Sequence, residues 1–286
     1  MILHALDDSV RDSMMQHTHT LEHRGQLISY QVIGEGEPIL FIHSFLCHHE
    51  MWRPQLDRLS HERYQLIAID LPGHGASGPS QPHSLEDLVE VALAVLDAQQ
   101  IHQAIWAGLS IGGMISMRAA LSAPDRVKAL ALFNTDAGSA PRGTSLQHTL
   151  LGYVLLTLRR WPTPILNTAL QSMFSATAIE EQPELVSEWA ASFRSLHLPS
   201  IRNTLRALNR RRSIVSRLSS IQCPTLVVHG EDDRALSCEQ GREIAAQLTH
   251  AALHILPRVG HLSTLEAPGE TSELLLDFLA SLEAST

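Results

Sequence analysis

Lysine is nearly missing from this chain: of 21 basic residues only Lys128 is not arginine, and 30 acidic residues bring the formal charge to −9. That balance leaves no broad basic face, which argues against nucleic acid or an anionic membrane as partner and favours a small neutral or apolar ligand. Cysteine is scarce too. Cys47, Cys223 and Cys238 form an odd set without metal-type spacing, so a disulfide framework is not expected and the thiols are expected to be reduced. A long apolar run is also lacking: residues 1–22 mix acids and histidines, unlike a signal peptide or anchor, and they are expected to be an N-terminal extension of a cytoplasmic protein. Seventeen histidines are present, yet pairs such as His17/His19 and His48/His49 have no companion ligands at useful spacing, so neither a metal nor a cofactor is expected. Oligomeric state leaves no mark in the sequence.

What is present suits one globular unit with an insertion, since 286 residues at 44% hydrophobic content bury a sizeable core without staples. Apolar runs predict strands at Leu27–Ile33, Ile39–Ile42, Leu66–Ile69, Ala104–Ala107, Ala129–Phe133, Thr225–His229 and Ala252–Leu256. Amphipathic runs predict helices at Leu85–Leu96 and Ile111–Ala123. The alternation implies an α/β fold with a mostly parallel sheet flanked by helices. After Phe133 the rhythm breaks into helical patterns at Leu146–Leu158, Pro164–Phe174, Pro183–Leu196 and Ile201–Ile214. These read as a helical cap over residues 139–218, leaving 23–138 and 219–286 as the core. Open α/β sheets place ligands at the carboxyl edge such a cap would cover.

The run Ala104-Ile105-Trp106-Ala107-Gly108-Leu109-Ser110-Ile111-Gly112-Gly113 ends a strand pattern on a serine between glycines and continues as a helix. A serine oxygen is a poor nucleophile unless held in the open beside a base. A tight strand-to-helix turn with small neighbours does that.

Around this elbow lie Pro38-Ile39-Leu40-Phe41-Ile42-His43, the turn Asp70-Leu71-Pro72-Gly73-His74-Gly75-Ala76-Ser77-Gly78, and the late segments His229-Gly230-Glu231-Asp232-Asp233 and Val259-Gly260-His261-Leu262. In this order they resemble the α/β-hydrolase superfamily from about Gly25 to the C-terminus. The resemblance implies that the cap is inserted after the sixth strand of the family's sheet, here Ala129–Phe133. It makes Ser110 the nucleophile and His261 its base, in a loop whose sequel Ser263–Pro268 also matches the family. The acid of such a triad orients the imidazole. By family placement it falls on Asp233 rather than Asp232 or Glu231, with Asp136 a weaker alternative that reads more naturally as a turn aspartate. Oxyanion donors would be the amides of Ile111 and, in the loop His43-Ser44-Phe45-Leu46, of Phe45. Ser44 stands where glycine is frequent. His74 is expected to make a structural hydrogen bond, Cys47 to take no part in chemistry, and Arg210-Arg211-Arg212 to form a solvated helix face rather than a carboxylate clamp.

The substrate-binding expectation gathers His43, Ser44, Trp106, Trp161, Met173 and Phe174, with Leu151, Leu155, Leu156, Leu170 and Trp189 as further apolar cap residues. The function implied is a cofactor-independent serine hydrolase of carboxylic esters or lactones. A serine rather than aspartate at the elbow disfavours the dehalogenase and epoxide hydrolase branches. The wording Gly108–Ile115, His43-Ser44-Phe45 and Asn134-Thr135 is most similar to enol-lactonase-like sequences. Carbon–carbon hydrolysis and perhydrolysis use much the same residues, and a slow-turnover ligand receptor on this fold is a further alternative.

Overall fold

A computed structural model of the chain describes residues 17–140 and 161–284. Its strands are β1 (His17–His23), β2 (Gln26–Ile33), β3 (Glu37–Ile42), β4 (Tyr64–Ile69), β5 (Ala104–Leu109), β6 (Val127–Phe133), β7 (Thr225–Gly230) and β8 (Ala251–Leu256). They form one sheet in the order β1-β2-β4-β3-β5-β6-β7-β8. β1 and β2 pair antiparallel, as do β2 and β4, and the rest is parallel.

The first hairpin turns on Arg24 and Gly25, both at positive φ (51° and 73°), the backbone a two-residue hairpin loop requires. Residues 17–22, expected to lie in an N-terminal extension, therefore belong to the sheet. The alternation that marks a strand is weak there, because Thr18, His19 and Thr20 are polar.

The helices are α1 (Arg53–Leu59), α2 (Leu85–Ala98), α3 (Ile111–Ser122), α4 (Thr163–Met173), α5 (Ala176–Glu181), α6 (Pro183–Ser195), α7 (Leu198–Arg210), α8 (Cys238–Gln247), α9 (Ser263–Glu266) and α10 (Pro268–Glu283). Successive strand residues point to opposite faces, so the buried strands feed two cores. Leu40, Ile42 and Trp106 pack with residues of α2, α3 and α8. Ile39, Phe41, Ile105 and Leu109 pack with α1, α10 and the helices between β6 and β7.

Those inserted helices, α4 to α7, touch loops at the carboxyl ends of four strands. Trp189 of α6 lies 5.2 Å from the His48 ring after β3, Ser200 of α7 accepts the Ser80 N–H after β4, and Arg211 meets Asp136 after β6. The Met173 carbonyl of α4 accepts the Leu262 N–H after β8. Helix α7 starts at Leu198 and stops at Arg210, short of the expected Ile214. The chain becomes extended at Arg211 (ψ 137°), and this residue's guanidinium reaches Asp136 and the Gly138 carbonyl. The expected helix Leu146–Leu158, with Leu151, Leu155 and Leu156, lies outside the described residues. Among the described residues no helix is long and apolar enough to cross a membrane. All three cysteines are free.

Candidate active site

β3 lies between β4 and β5, so the crossovers that leave β3 and β5 diverge and open a crevice at their carboxyl ends. Ser110 follows β5 and the loop from His43 follows β3, with Ile42 paired to Gly108. Ser110 has φ 57° and ψ −115°, a backbone conformation that costs a non-glycine residue on the order of 1–3 kcal/mol and persists only where the surroundings over-determine it. They do here. Ser110 N donates to Phe133 O (2.9 Å) and Ser110 O accepts from Met114 N (3.0 Å) and Thr135 Oγ1 (2.7 Å). Any Cβ at Gly112 would collide with the Ile42 carbonyl oxygen, and one at Gly108 with the backbone of Gly112. The two glycines bring the start of α3, and with it the Ile111 amide, against the end of β3.

Of the three carboxylates after β7, Asp233 is the one that faces His261. Its Oδ1 accepts the N–H groups of Ala235 and Leu236 at 2.8 Å each. Its Oδ2 accepts His261 Nδ1 at 2.8 Å and Asn134 Nδ2 at 2.9 Å, with His229 Nε2 at 3.2 Å. Burial would raise its pKa, but the charge of His261 and these hydrogen bonds outweigh it and hold the carboxyl well below the usual range. An ionised carboxylate only accepts, so His261 carries its proton on Nδ1 and presents the Nε2 lone pair to the crevice. Asn134 and Thr135 tie this pair to the elbow, since Asn134 binds Asp233 and Gly260 O while Thr135 binds Ser110 O.

The loop after β3 is braced by His43. Its Nε2 accepts the Leu71 N–H at 2.9 Å and its Nδ1 donates to Ser44 O at 2.7 Å. Burial, with His74 nearby, pushes its pKa down to about 3, so the ring is neutral. Ser44 O also accepts the Cys47 N–H, Ser44 N donates to Met51 Sδ, and Leu46 sits at φ 68°, a tight turn that carries Phe45. His43 and Ser44 are thus fully buried and shape the loop. Trp106 is fully buried and its indole donates to Arg126 O, in the turn that precedes β6. Met173 and Phe174 end α4 beside the histidine loop, where Leu262 N meets Met173 O. Phe174 is buried, and Trp161 packs half-buried against the same core.

Other candidates are engaged elsewhere. Asp136 is held by Arg211 (2.7 Å) and by the Gly138 N–H, so Arg211 of the basic cluster is a buried ion-pair partner, not part of a solvated face. His74 makes the expected structural bond, to Pro72 O at 3.2 Å, and burial lowers it to about 4. Burial pushes the Cys47 thiol far above its ordinary range, where no thiolate nucleophile is available. His48, His49 and Asp70 bring ligand-type atoms within 4.8 Å of one another, but Asp70 already receives His49 N, His49 Nδ1 and Ala76 N at 2.8–3.0 Å. Three residues went unnoticed as site residues in the sequence. Asn134, His229 and Glu266 all reach the acid and histidine loops; polar side chains at or just past strand ends were the available signal for the first two.

A family model described as the alpha/beta hydrolase fold matches residues 37–268. The chain is 27% identical over 254 residues to 3-oxoadipate enol-lactonase 2 of Acinetobacter baylyi, covering 87% of this chain and 91% of that protein. Among solved structures, a hydrolase from Pseudomonas aeruginosa superposes with a TM-score of 0.85 at 27% identity, covering 92% of this chain and 98% of its own. Est816, described as an N-acyl homoserine lactone degrading enzyme, superposes with a TM-score of 0.78 at 31% identity, covering 91% of this chain and 100% of its own.

Proposed function

Because the chain belongs to the α/β hydrolase fold family, we propose that it is a serine hydrolase acting, without a cofactor, on a carboxylic ester or lactone. The observation that carries this reading is the strained Ser110 turn joined through Asn134 and Thr135 to a buried Asp233–His261 pair. His261 Nε2 takes the Ser110 hydroxyl proton as Oγ attacks the carbonyl carbon. The amides of Ile111 and Phe45 stabilise the oxyanion of the tetrahedral intermediate, and Asp233 stabilises the imidazolium. Collapse breaks the bond to the alcohol oxygen, which leaves with the proton from His261; in a lactone that hydroxyl stays tethered to the acyl group. Water, deprotonated by the same histidine, then releases the acid and restores Ser110.

A lactone is the favoured member of this class. Two of the similar proteins are described by lactone chemistry, one as an enol-lactonase and one as degrading acyl homoserine lactones. The site would be roofed by the inserted helices, with Trp161 and Met173 beside the crevice.

The test is steady-state hydrolysis of a nitrophenyl ester series and of aliphatic lactones by the native chain and by Ser110→Ala, with a chelator present. Turnover indifferent to chelator that falls roughly 10⁴–10⁶-fold in Ser110→Ala is expected. Undiminished turnover in that variant refutes the reading.

A further inference from the structure

Asn134 is fully buried and sits just past β6 with φ 43°, a left-handed conformation that asparagine tolerates better than most residues. Its backbone N–H continues the sheet by donating to Val228 O at 2.8 Å. Its side-chain amide does something less ordinary. Both N–H groups are spent on the site, one on Asp233 Oδ2 at 2.9 Å and one on Gly260 O at 3.0 Å, the carbonyl that immediately precedes His261. The other end of the amide, Oδ1, is buried without a partner. A buried acceptor left unmade is a cost, and at a strand end facing two apolar cores an aliphatic side chain would avoid it. The orientation with nitrogen toward Asp233 is dictated by the carboxylate, which only accepts.

We infer that Asn134 is a positioning residue that bridges the acid and the base loop, one NH₂ group fixing Asp233 and the peptide before His261 at a set separation. This rests on the serine-hydrolase reading. Two consequences follow from the chemistry. The carboxylate cannot rotate away from His261 Nδ1 while Oδ1 is held by Ala235 and Leu236 and Oδ2 by Asn134. The charge of Oδ2 is also shared among donors, so Asp233 stabilises the His261 imidazolium less than it would alone. The other titratable groups facing the pair are His229, 3.2 Å from Oδ2, and Glu266, whose carboxylate takes the Gly260 N–H. Asp136, two residues along, is neutralised by Arg211.

The experiment compares kcat/KM against pH for the native enzyme, Asn134→Ala and Asn134→Gly. Both variants lose the amide, but glycine accepts positive φ without cost, so the pair separates the donor from the backbone. With the donor gone, the imidazolium is held more strongly. The acid limb of the profile is expected to move up by about half a pH unit to one unit in both variants. In parallel, kcat is expected to fall about ten- to a hundredfold with KM within about twofold, from misorientation of the base. An unmoved acid limb in folded variants, or a native profile in Asn134→Gly alone, overturns the inference. A neutron structure of the perdeuterated native protein tests it without any variant. Deuterium on Nδ2 directed at both Asp233 and Gly260 is expected, and an amide turned the other way overturns it. Undiminished activity in Ser110→Ala would remove the hydrolase reading separately, while the deuterium positions would still decide the contact.

Discussion

The carboxylate of Glu266 accepts the backbone N–H of Gly260 at 2.9 Å, and the same oxygen accepts the Ser175 N–H at 3.2 Å. One buried anion thus joins the loop that carries His261 to the start of α5 in the inserted helices. Burial raises the Glu266 pKa, and the hydrogen bonds from Ser175 and Gly260 offset this only in part. A carboxyl that binds its proton more readily folded than unfolded contributes stability at pH below the ordinary glutamate range. That contribution is lost as pH rises through the folded-state value. Glu266→Gln keeps an acceptor and does not titrate. Urea unfolding at pH 4 and pH 7 should therefore show the native protein losing stability relative to Glu266→Gln as pH rises, and a constant difference would count against this account. Glu266→Ala, which leaves two buried N–H groups unmet, should cost about 2 kcal/mol or more at either pH.

Asp70 has the opposite sign. Burial would raise its pKa, but the hydrogen bonds and charge of His49 bring it down to about 2 from 3.8. A depressed carboxyl contributes stability above its unfolded value and loses it as pH falls through the folded one, worth about 2 kcal/mol here. Asp70→Asn should be less stable than the native protein by about that amount at pH 7, and the gap should close between pH 3.8 and about 2. A gap that stays open across this range would mean that Asp70 acts through geometry alone.

The parallel strands were legible in the sequence because both faces are buried, which writes them as short apolar runs such as Ile39–Ile42 and Ala104–Ala107. Ser110 and its glycines were legible because close backbone approach excludes every larger residue. β1 was not. It is an edge strand with polar residues on both faces, and its turn at Arg24-Gly25 has only one residue of the usual turn type. The side-chain directions of His43, Ser44 and Trp106 were not legible either. Proximity in sequence to the elbow or the oxyanion loop does not tell which way a side chain points, and all three point into the protein. Pairings across about a hundred residues, such as Asn134 with Asp233 or Gly260, leave no periodic trace.

Arg211 and Asp136 form an ion pair at 2.7 Å with side chains 7% and 4% exposed, and it pins the end of α7 to the loop after β6. Breaking a buried pair from one side strands the other charge, at about 3–5 kcal/mol. Arg211→Met should lower stability by that order, because among the described residues Asp136 then keeps the Gly138 N–H as its hydrogen-bond donor. Removing both charges in Arg211→Met with Asp136→Leu should recover much of the loss, since two apolar groups of similar volume leave nothing buried and charged. The double-mutant cycle, read by urea unfolding, isolates the coupling. Additive losses would show that the two residues act independently. Asparagine substitutions at the two candidate acids test the acid assignment. If Asp233 is the acid that holds His261, folded Asp136→Asn keeps ester or lactone turnover within a few fold while Asp233→Asn loses it by about 10⁴, and the reverse outcome moves the role to Asp136.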